Sequence, residues 1–417
     1  MLSPPSLFEN KKEFLIVSAL LSLIIAIRVL FLYQDYKSLK STPNYYYSVA
    51  QILKLFQKKD LTLIKVRSID NFEFYIATNK RVEPFEWVRV KFKLKESTTF
   101  LEYLKSPFIN GEVLEHIEEG FDAKWYLKDK ISKEHKNREI ALFYNAIFLA
   151  QPLNRELREK ISSLGISHLV ALSGFHLGIL WIVILFVLYT PYRFFHQKYY
   201  PYRHKDIDLG LIILILLALF ILFVGSPPSL IRAYVMALLG WIVLILGLEL
   251  ISFKLLVFTA LLILALFPKL IVSFGFILSV AGVFYIFLIL RWLRDASSWF
   301  IKLIAIPIGV FVFMFPIAHY LFPTTSIYQL FSPILSILFV PFYPISAILH
   351  IFGYGSAFDG FLLWLFNLPI KSKDIVIPTY LIVLYLLLSF GSIFSKTLFV
   401  LTFLLALTIT TFSLILF

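Results

Sequence analysis

Two patterns of apolar and polar positions divide the chain. Between residues 35 and 139 the side chains alternate in short runs. From residue 209 to the end, long apolar runs follow one another with brief polar gaps. Alternation with period two marks a half-buried strand, whereas about twenty consecutive apolar residues is the length that crosses a bilayer. The first region predicts strands over Leu61–Ile69, Phe72–Ala77, Trp87–Lys95, Ile109–Ile117 and Ala123–Leu127, with turn residues between them. Five short strands in so small a region fit a small barrel such as an OB-fold. The clearest strand places Val88, Val90, Phe92 and Leu94 on one face and Trp87, Arg89, Lys91, Lys93 and Lys95 on the other, because successive side chains of a strand point to opposite sides.

The second pattern predicts spans at about 168–190, 209–225, 229–248, 255–267, 270–290, 303–322, 327–350, 376–394 and 397–417. Phe14–Tyr33, interrupted by Arg28, is long for a signal-peptide core and no small-residue cleavage site follows it, so it reads as an uncleaved anchor. Ile140–Leu149 is too short to span, Gln151–Leu164 is amphipathic, and Asp359–Pro369 fits a half helix. The expected architecture is a polytopic α-helical membrane protein of about ten spans with a small extracytoplasmic β-barrel (OB-like) domain. Its parts are an N-terminal membrane anchor over 1–34, the OB-like domain over 35–139 and a multi-span domain over 140–417.

Composition agrees: 59% of residues are hydrophobic, 44 are Phe, and no soluble core needs so much apolar surface. The chain has no Cys, which excludes disulfides, Cys-ligated zinc and iron–sulfur clusters. Net charge is +13, with 23 Lys and Arg against 18 Asp and Glu in residues 1–140 and 16 against 8 beyond them. Much of the second excess sits in two loops, Arg193, Lys198, Arg203 and Lys205, and Arg291, Arg294 and Lys302. Basic loops stay cytoplasmic, which places residues 35–167 on the outer side and Met1 inside. Net basicity is therefore orientation signal before it is evidence for a nucleic-acid ligand. The face with Trp87, Arg89, Lys91 and Lys93 still suits a single strand, with cations for phosphate and an indole for base stacking; an ordinary solvated face is the alternative.

Four polar clusters interrupt the apolar half. Residues 165–178 carry His168, Ser173, Gly174, His176 and Gly178. Read as one helix, His168–Gly178 puts His168, Ser173 and His176 on a broad common face, and Gly174 and Gly178 form a small-xxx-small pair for close helix approach. Gly225–Ala233 carries Ser229 and Arg232 after two prolines, and Arg232 could receive a phosphate or snorkel to lipid headgroups. Gly275 with Ser279, and His319 followed by a proline-broken segment with Gln329 and Ser332, complete the set; plain helix packing is the alternative for both. No Gly-x-x-x-x-Gly-Lys-[Ser/Thr] loop is present, so no ATP motor is expected, and no His-x-His or His-Glu-x-x-His pattern points to a metal.

Together the clusters resemble a known family. Leu153–Arg158 through Gly165-Ile-Ser-His-Leu-Val-Ala-Leu-Ser-Gly-Phe-His-Leu-Gly178 resembles the signature of the ComEC family of competence proteins, which reads roughly Gly-x-x-His-Leu-x-Ala-x-Ser-Gly-x-His-x-Gly. Pro228-Ser-Leu-Ile-Arg-Ala-Tyr-Val-Met-Ala237 is similar to its next block, and Gly275-Phe-Ile-Leu-Ser279 to a third. Phe100–Leu104 followed by Gly111–Val113 is similar to the end of the family's outer OB-like domain. The blocks occur in family order.

The resemblance implies an inner-membrane channel that carries one strand of transforming DNA into the cytoplasm. It implies that His168, Ser173, Gly174, His176, Gly178, Arg232, Gly275 and Ser279 belong to the polar lining or the tight helix contacts; His319 is added from the residue reading alone. Expected partners are single-stranded DNA, a periplasmic DNA receptor, a cytosolic motor or strand-binding proteins, and membrane lipid. Longer members carry a metallo-β-lactamase-like domain after the membrane region. Here the chain ends in a span and no matching motif occurs, so neither a nuclease role nor a cofactor is expected. Two other readings stay open: a small-molecule secondary transporter, and a polytopic hydrolase using Ser173 and His176.

Overall fold

In a computed structural model of the chain the described residues are 7–415, except 9, 43, 59–60, 70–71, 81, 84–85, 118–122, 250 and 370. Helix α1 (Lys11–Ser41) is longer than the anchor expected from the apolar run. At 1.5 Å per residue it is about 45 Å long, well beyond the ~30 Å of a hydrocarbon core. Its last turns stand in the β domain, where Tyr36 is buried and donates to the Thr98 carbonyl at 2.7 Å. Arg28, the apparent interruption, has a partner of its own. It donates to the carbonyls of Ala265 and Leu266 at 2.9 and 3.1 Å, at the end of α10 (Phe253–Leu266). A cation on the orphan carbonyls of a helix C-terminus is doubly favoured, by hydrogen bonding and by the helix dipole.

The β domain has five antiparallel strands: β1 (Tyr46–Lys58), β2 (Leu61–Ser68), β3 (Glu73–Thr78), β4 (Trp87–Lys93) and β5 (Asn110–Ile117), in the order β3-β2-β1-β4-β5. The central strand β1 was not among the expected strands. A register shift between Ile52 and Lys54 breaks its alternation, which is why the period-two pattern hid it. Ala123–Leu127, expected as a strand, is the start of helix α3 (Ala123–Lys133), whose aromatic opening is followed by the helix formers of Lys128–Lys133. Between β4 and β5 lies α2 (Phe100–Leu104), opened by a capping box of Thr99 and Glu102. The sheet edges approach through one parallel bridge, in which the Tyr75 N–H donates to Pro107 and Ile109 N–H to the Tyr75 carbonyl, both at 2.9 Å. Among the described residues the ladders form a curled sheet whose edges meet at that bridge. Val88, Val90, Phe92 and Leu94 all point into the core with Ile52, Ile64, Phe74 and Ile76.

Helices α4 (Arg138–Leu149), α5 (Arg155–Ser163) and α6 (Ser167–Val170) lead from the β domain into the apolar half. There follow α7 (Gly174–Tyr199), α8 (Lys205–Phe223), α9 (Pro228–Ile245), α10, α11 (Phe274–Trp292), α12 (Ser298–Phe300), α13 (Ile306–Leu321), α14 (Ser332–Ile351), α15 (Asp359–Phe366), α16 (Thr379–Gly391) and α17 (Lys396–Ile415). A π turn, Ile301–Ala305, joins α12 to α13. Among the described residues seven helical stretches are long and apolar enough to cross a membrane: Lys11–Ser41, Gly174–Tyr199, Lys205–Phe223, Phe274–Trp292, Ser298–Leu321, Ile327–Ile351 and Lys396–Ile415. This is a polytopic helical membrane protein. Three expected spans, near 229–248, 255–267 and 376–394, coincide with the shorter apolar helices Ser229–Ile245, Phe253–Leu266 and Thr379–Gly391.

One end of the helix bundle carries the β domain. Arg67 reaches the Gly225 carbonyl at 3.4 Å and Lys124 the Val224 carbonyl at 2.7 Å, so both grip the turn between α8 and α9. That turn is held by Gly225 at φ 89° and Ser226 at φ 53°. Residues 268–272, a 3-10 turn between α10 and α11, meet the same domain, with Lys269 over the rings of Phe72 and Tyr103. Both basic loops lie at the opposite ends of α8 and α11.

Arg67 also donates twice to Glu73, at 2.6 and 2.9 Å, and Lys65 pairs with the other carboxylate oxygen. Burial works against the charge of Glu73, but the two cations hold its carboxyl below the ordinary range. A depressed carboxyl stabilises the fold above its unfolded pKa and loses that contribution as pH falls through the folded value. Glu73→Gln is therefore expected to cost about 1–3 kcal/mol at neutral pH. Thermal melts of the detergent-solubilised chain should show the gap between variant and wild type closing as pH falls below the carboxylate range.

Candidate functional site

The stretch 168–178 is not the one helix expected. Chain direction changes at Ala171–Ser173, between α6 and α7, so His168, Ser173 and His176 do not share a helical face as expected. The reason is local. Ser173 is extended (φ −137°, ψ 178°) and its Oγ accepts the Phe175 N–H, which makes it the N-cap of α7. His176 closes the box: its Nδ1 accepts the Ser173 N–H at 3.3 Å. The Ser173 hydroxyl donates to the His168 carbonyl at 3.3 Å, while its distance to His176 Nδ1 is 3.4 Å. His176 is fully buried, edge-on to Phe339 and Tyr343 of α14. Its Nε2 has no hydrogen-bond partner among the described residues.

From this turn, contacts run in three directions. Toward α14, His168 Nε2 lies 3.1 Å from the Ser336 hydroxyl, and Ser332 donates to the Gly165 carbonyl at 2.9 Å. Toward α13, Gly165 at φ 71° packs on Gln329, whose Oε1 is 3.0 Å from His319 Nε2. Gln329 also donates to the carbonyls of Thr324 and Ser162. Toward α9, Ser229 donates to the Leu172 carbonyl at 2.5 Å, and a Cβ added to Gly174 would stand 3.0 Å from Ala233 Cβ. One turn further along α9, Arg232 lies against α11, its Nη2 3.4 Å from where a Cβ of Gly275 would be. The polar clusters of four separate segments thus form one connected seam. His168, Gly174 and Gly275 are exposed within it, whereas His176, Arg232 and His319 are buried.

A family model described as competence protein matches residues 150–416. The chain belongs to the competence protein family. The matched residues begin between α4 and α5 and include every element of the seam. No curated protein and no solved structure matches the chain. Membership assigns this competence protein a role in DNA uptake.

Two expected residues stand apart from the seam's contacts. An added Cβ on Gly178 would meet nothing within 4 Å, so it is not the second half of a tight glycine pair. Ser279 is half-buried on α11, one turn beyond Gly275. On the β domain the face of β4 has mixed charge: Arg89 pairs with Glu115, and Lys91 with Glu112 at 3.2 Å, because β5 places acids directly opposite. Trp87 stands opposite Ile117 of β5 at the end of the same ladder, and Lys93 opposite Asn110.

One cluster in the competence protein was not anticipated. His135, beyond α3, lies 2.9 and 3.1 Å from the Asp359 carboxylate, and its Nε2 is 3.0 Å from Nε2 of His350. His350 Nδ1 donates to the Ser346 carbonyl, so a neutral His350 ring offers its Nε2 as an acceptor to His135. Tyr144 stacks on His135 with ring centroids 4.6 Å apart. The available signal was Asp359 itself, the single acid between Asp295 and Asp374, because an acid in so apolar a stretch requires a partner. Its partner His135 lies 224 residues away, so the pair forms no short motif.

The geometry separates the two glycines. Gly174→Leu should drive α7 from α9, at about 1–3 kcal/mol and with loss of transformation. Gly178→Leu should leave both unchanged. Melting temperature in detergent and transformant counts at matched protein level read the difference.

Proposed function

We propose that this competence protein is a channel that carries single-stranded transforming DNA across the cytoplasmic membrane, with the β domain on the outer side. The observation that carries the reading is the placement of the seam. Four polar segments distant in sequence meet directly beneath the turn that Arg67 and Lys124 tie to the β domain. Broken helices at membrane depth are tolerated where they line a cavity or are buried in protein. A strand carries one charge per nucleotide and cannot cross bare hydrocarbon, so protein must replace water along its route. A lining of hydroxyls, imidazoles, backbone and glycine with few fixed cations lets phosphates pass without arrest. The basic loops at the far end fit a cytoplasmic exit. A periplasmic receptor would present the strand, a cytosolic motor or strand-binding proteins would draw it in, and lipid surrounds the long apolar helices.

We read the chain as a conduit and not as an enzyme. Ser173 spends its hydroxyl proton on the His168 carbonyl, and His176 spends Nδ1 on a backbone N–H, so neither is set for hydrolysis. A small-molecule transporter leaves the docked β domain without a role.

A strain lacking the chain should bind labelled DNA at its surface and accumulate none in the cytoplasm; normal cytoplasmic label in that strain would end the proposal. Ser173→Ala loses a helix cap worth about 1 kcal/mol. It should retain most uptake, whereas a hydrolase would lose all turnover.

A further inference from the structure

Arg232 is 6% exposed, and among the described residues its guanidinium has no carboxylate within ion-pair distance and no hydrogen-bond acceptor; its Nε is enclosed without a partner. An unpaired buried cation is costly, and structures that retain one supply an anion. The guanidinium is aimed at the first turn of α11, a helix of 19 residues. Gly275 leaves room for it there, and the glycine is itself exposed, so the place is reachable from outside the helix contact. A helix start presents backbone N–H groups and the positive end of the dipole. Ser273 caps this start and takes only the Phe276 N–H.

Two more cations approach from the β-domain side. Lys105, the exposed residue that ends α2, lies over the ring of Phe274 with Nζ 5.3 Å from its centroid. Lys269, on the turn just before α11, sits between Phe72 and Tyr103. Glu73 and Asp35 are the acids that act on Lys269, and Glu73 is already held by Lys65 and Arg67. The carbonyls that end α10, an opposing negative pole, are covered by Arg28.

We propose that the start of α11, between Lys105 of the β domain and Arg232 of the helix bundle, binds one phosphodiester of the strand as it passes from the outer domain into the seam. This rests on the DNA-transport reading and names its first fixed contact inside the bundle. A guanidinium and helix N–H groups together match a phosphate oxyanion better than a point charge does. A phospholipid headgroup shares that chemistry. DNA is favoured because the cations come from both sides of the domain junction and Arg232 is buried.

The test uses the full chain in phosphatidylcholine nanodiscs and a labelled oligothymidylate, with affinity followed against salt. Arg232→Gln and Lys105→Gln should each weaken binding, and each should flatten the slope of log affinity against log salt by about 0.7, the value for one phosphate contact on a single strand. Arg232→Lys should restore the slope. If wild type binds and both glutamine variants match it in affinity and slope, the site is wrong while transport stands. Lys105 is exposed, so its variant decides the matter even if Arg232→Gln fails to fold. If Arg232→Gln instead releases an anionic lipid retained through purification, seen by native mass spectrometry, with DNA binding unchanged, the phosphate belongs to lipid and the proposal falls. A wild-type chain that binds no strand, together with normal uptake in the deletion strain, would overturn the transport reading itself.

Discussion

Backbone polar groups beside hydrocarbon must find partners within the protein, at several kcal/mol for each one left unpaired. Several interruptions in the apolar half meet this demand with a side chain. Arg28 covers the end of α10, Ser173 opens α7, Ser273 opens α11, and Ser326 accepts the Tyr328 N–H where the chain turns between α13 and α14. The decisive cases use one interruption to satisfy another. Ser229, just inside α9, donates to Leu172 at the break before α7, and Ser332 and Gln329 do the same for Gly165 and Ser162. Breaks therefore stack against breaks. A seam of polar groups is the necessary outcome of interrupting several neighbouring helices at one depth.

The same constraint fixes the relation between the two parts of the molecule. The α8–α9 turn exposes carbonyls that Lys124 and Arg67 take up, and Arg67 is itself oriented by Glu73. The β domain is thus fastened to the backbone immediately before the prolines that start α9, not to a mobile surface. Further along, His135, just beyond α3, bonds Asp359 at the start of α15, while the same imidazole bonds His350 at the end of α14. Both attachments are polar.

What the sequence disclosed follows from the range of each signal. The core face of β4 was legible because Val88, Val90, Phe92 and Leu94 alternate without interruption; β1 was not, because the irregularity after Ile52 shifts its alternation. The long apolar helices were legible by length, although Arg28 looked like a flaw until its partners 237 and 238 residues away were known. Ser173 and His176 were found as chemistry-bearing residues but misjudged as one face, since capping turns a polar side chain onto its own backbone and ends the helix that periodicity assumes. Gly174 and Gly178 look equivalent in sequence, and only Ala233 distinguishes them. The acids opposite Arg89 and Lys91 could be read only from the register of β4 with β5.

Direction and work remain to be accounted for on the proposed reading. With the basic loops inside, Arg193 and Lys302 stand at the exit, and they draw a polyanion toward the side to which they orient the helices. The membrane potential opposes this. A negative interior raises the energy of each entering charge by about 2.3 kcal/mol per 100 mV, and every nucleotide brings one. Fixed charges cannot meet that cost repeatedly, because a cation that lowers the energy of one phosphate must release it before the next arrives. Stronger binding along the route would slow transfer without driving it. A conduit of this kind therefore gains from few cations and a hydroxyl- and glycine-rich path. The work must then come from a partner that captures or pulls the strand on the cytoplasmic side.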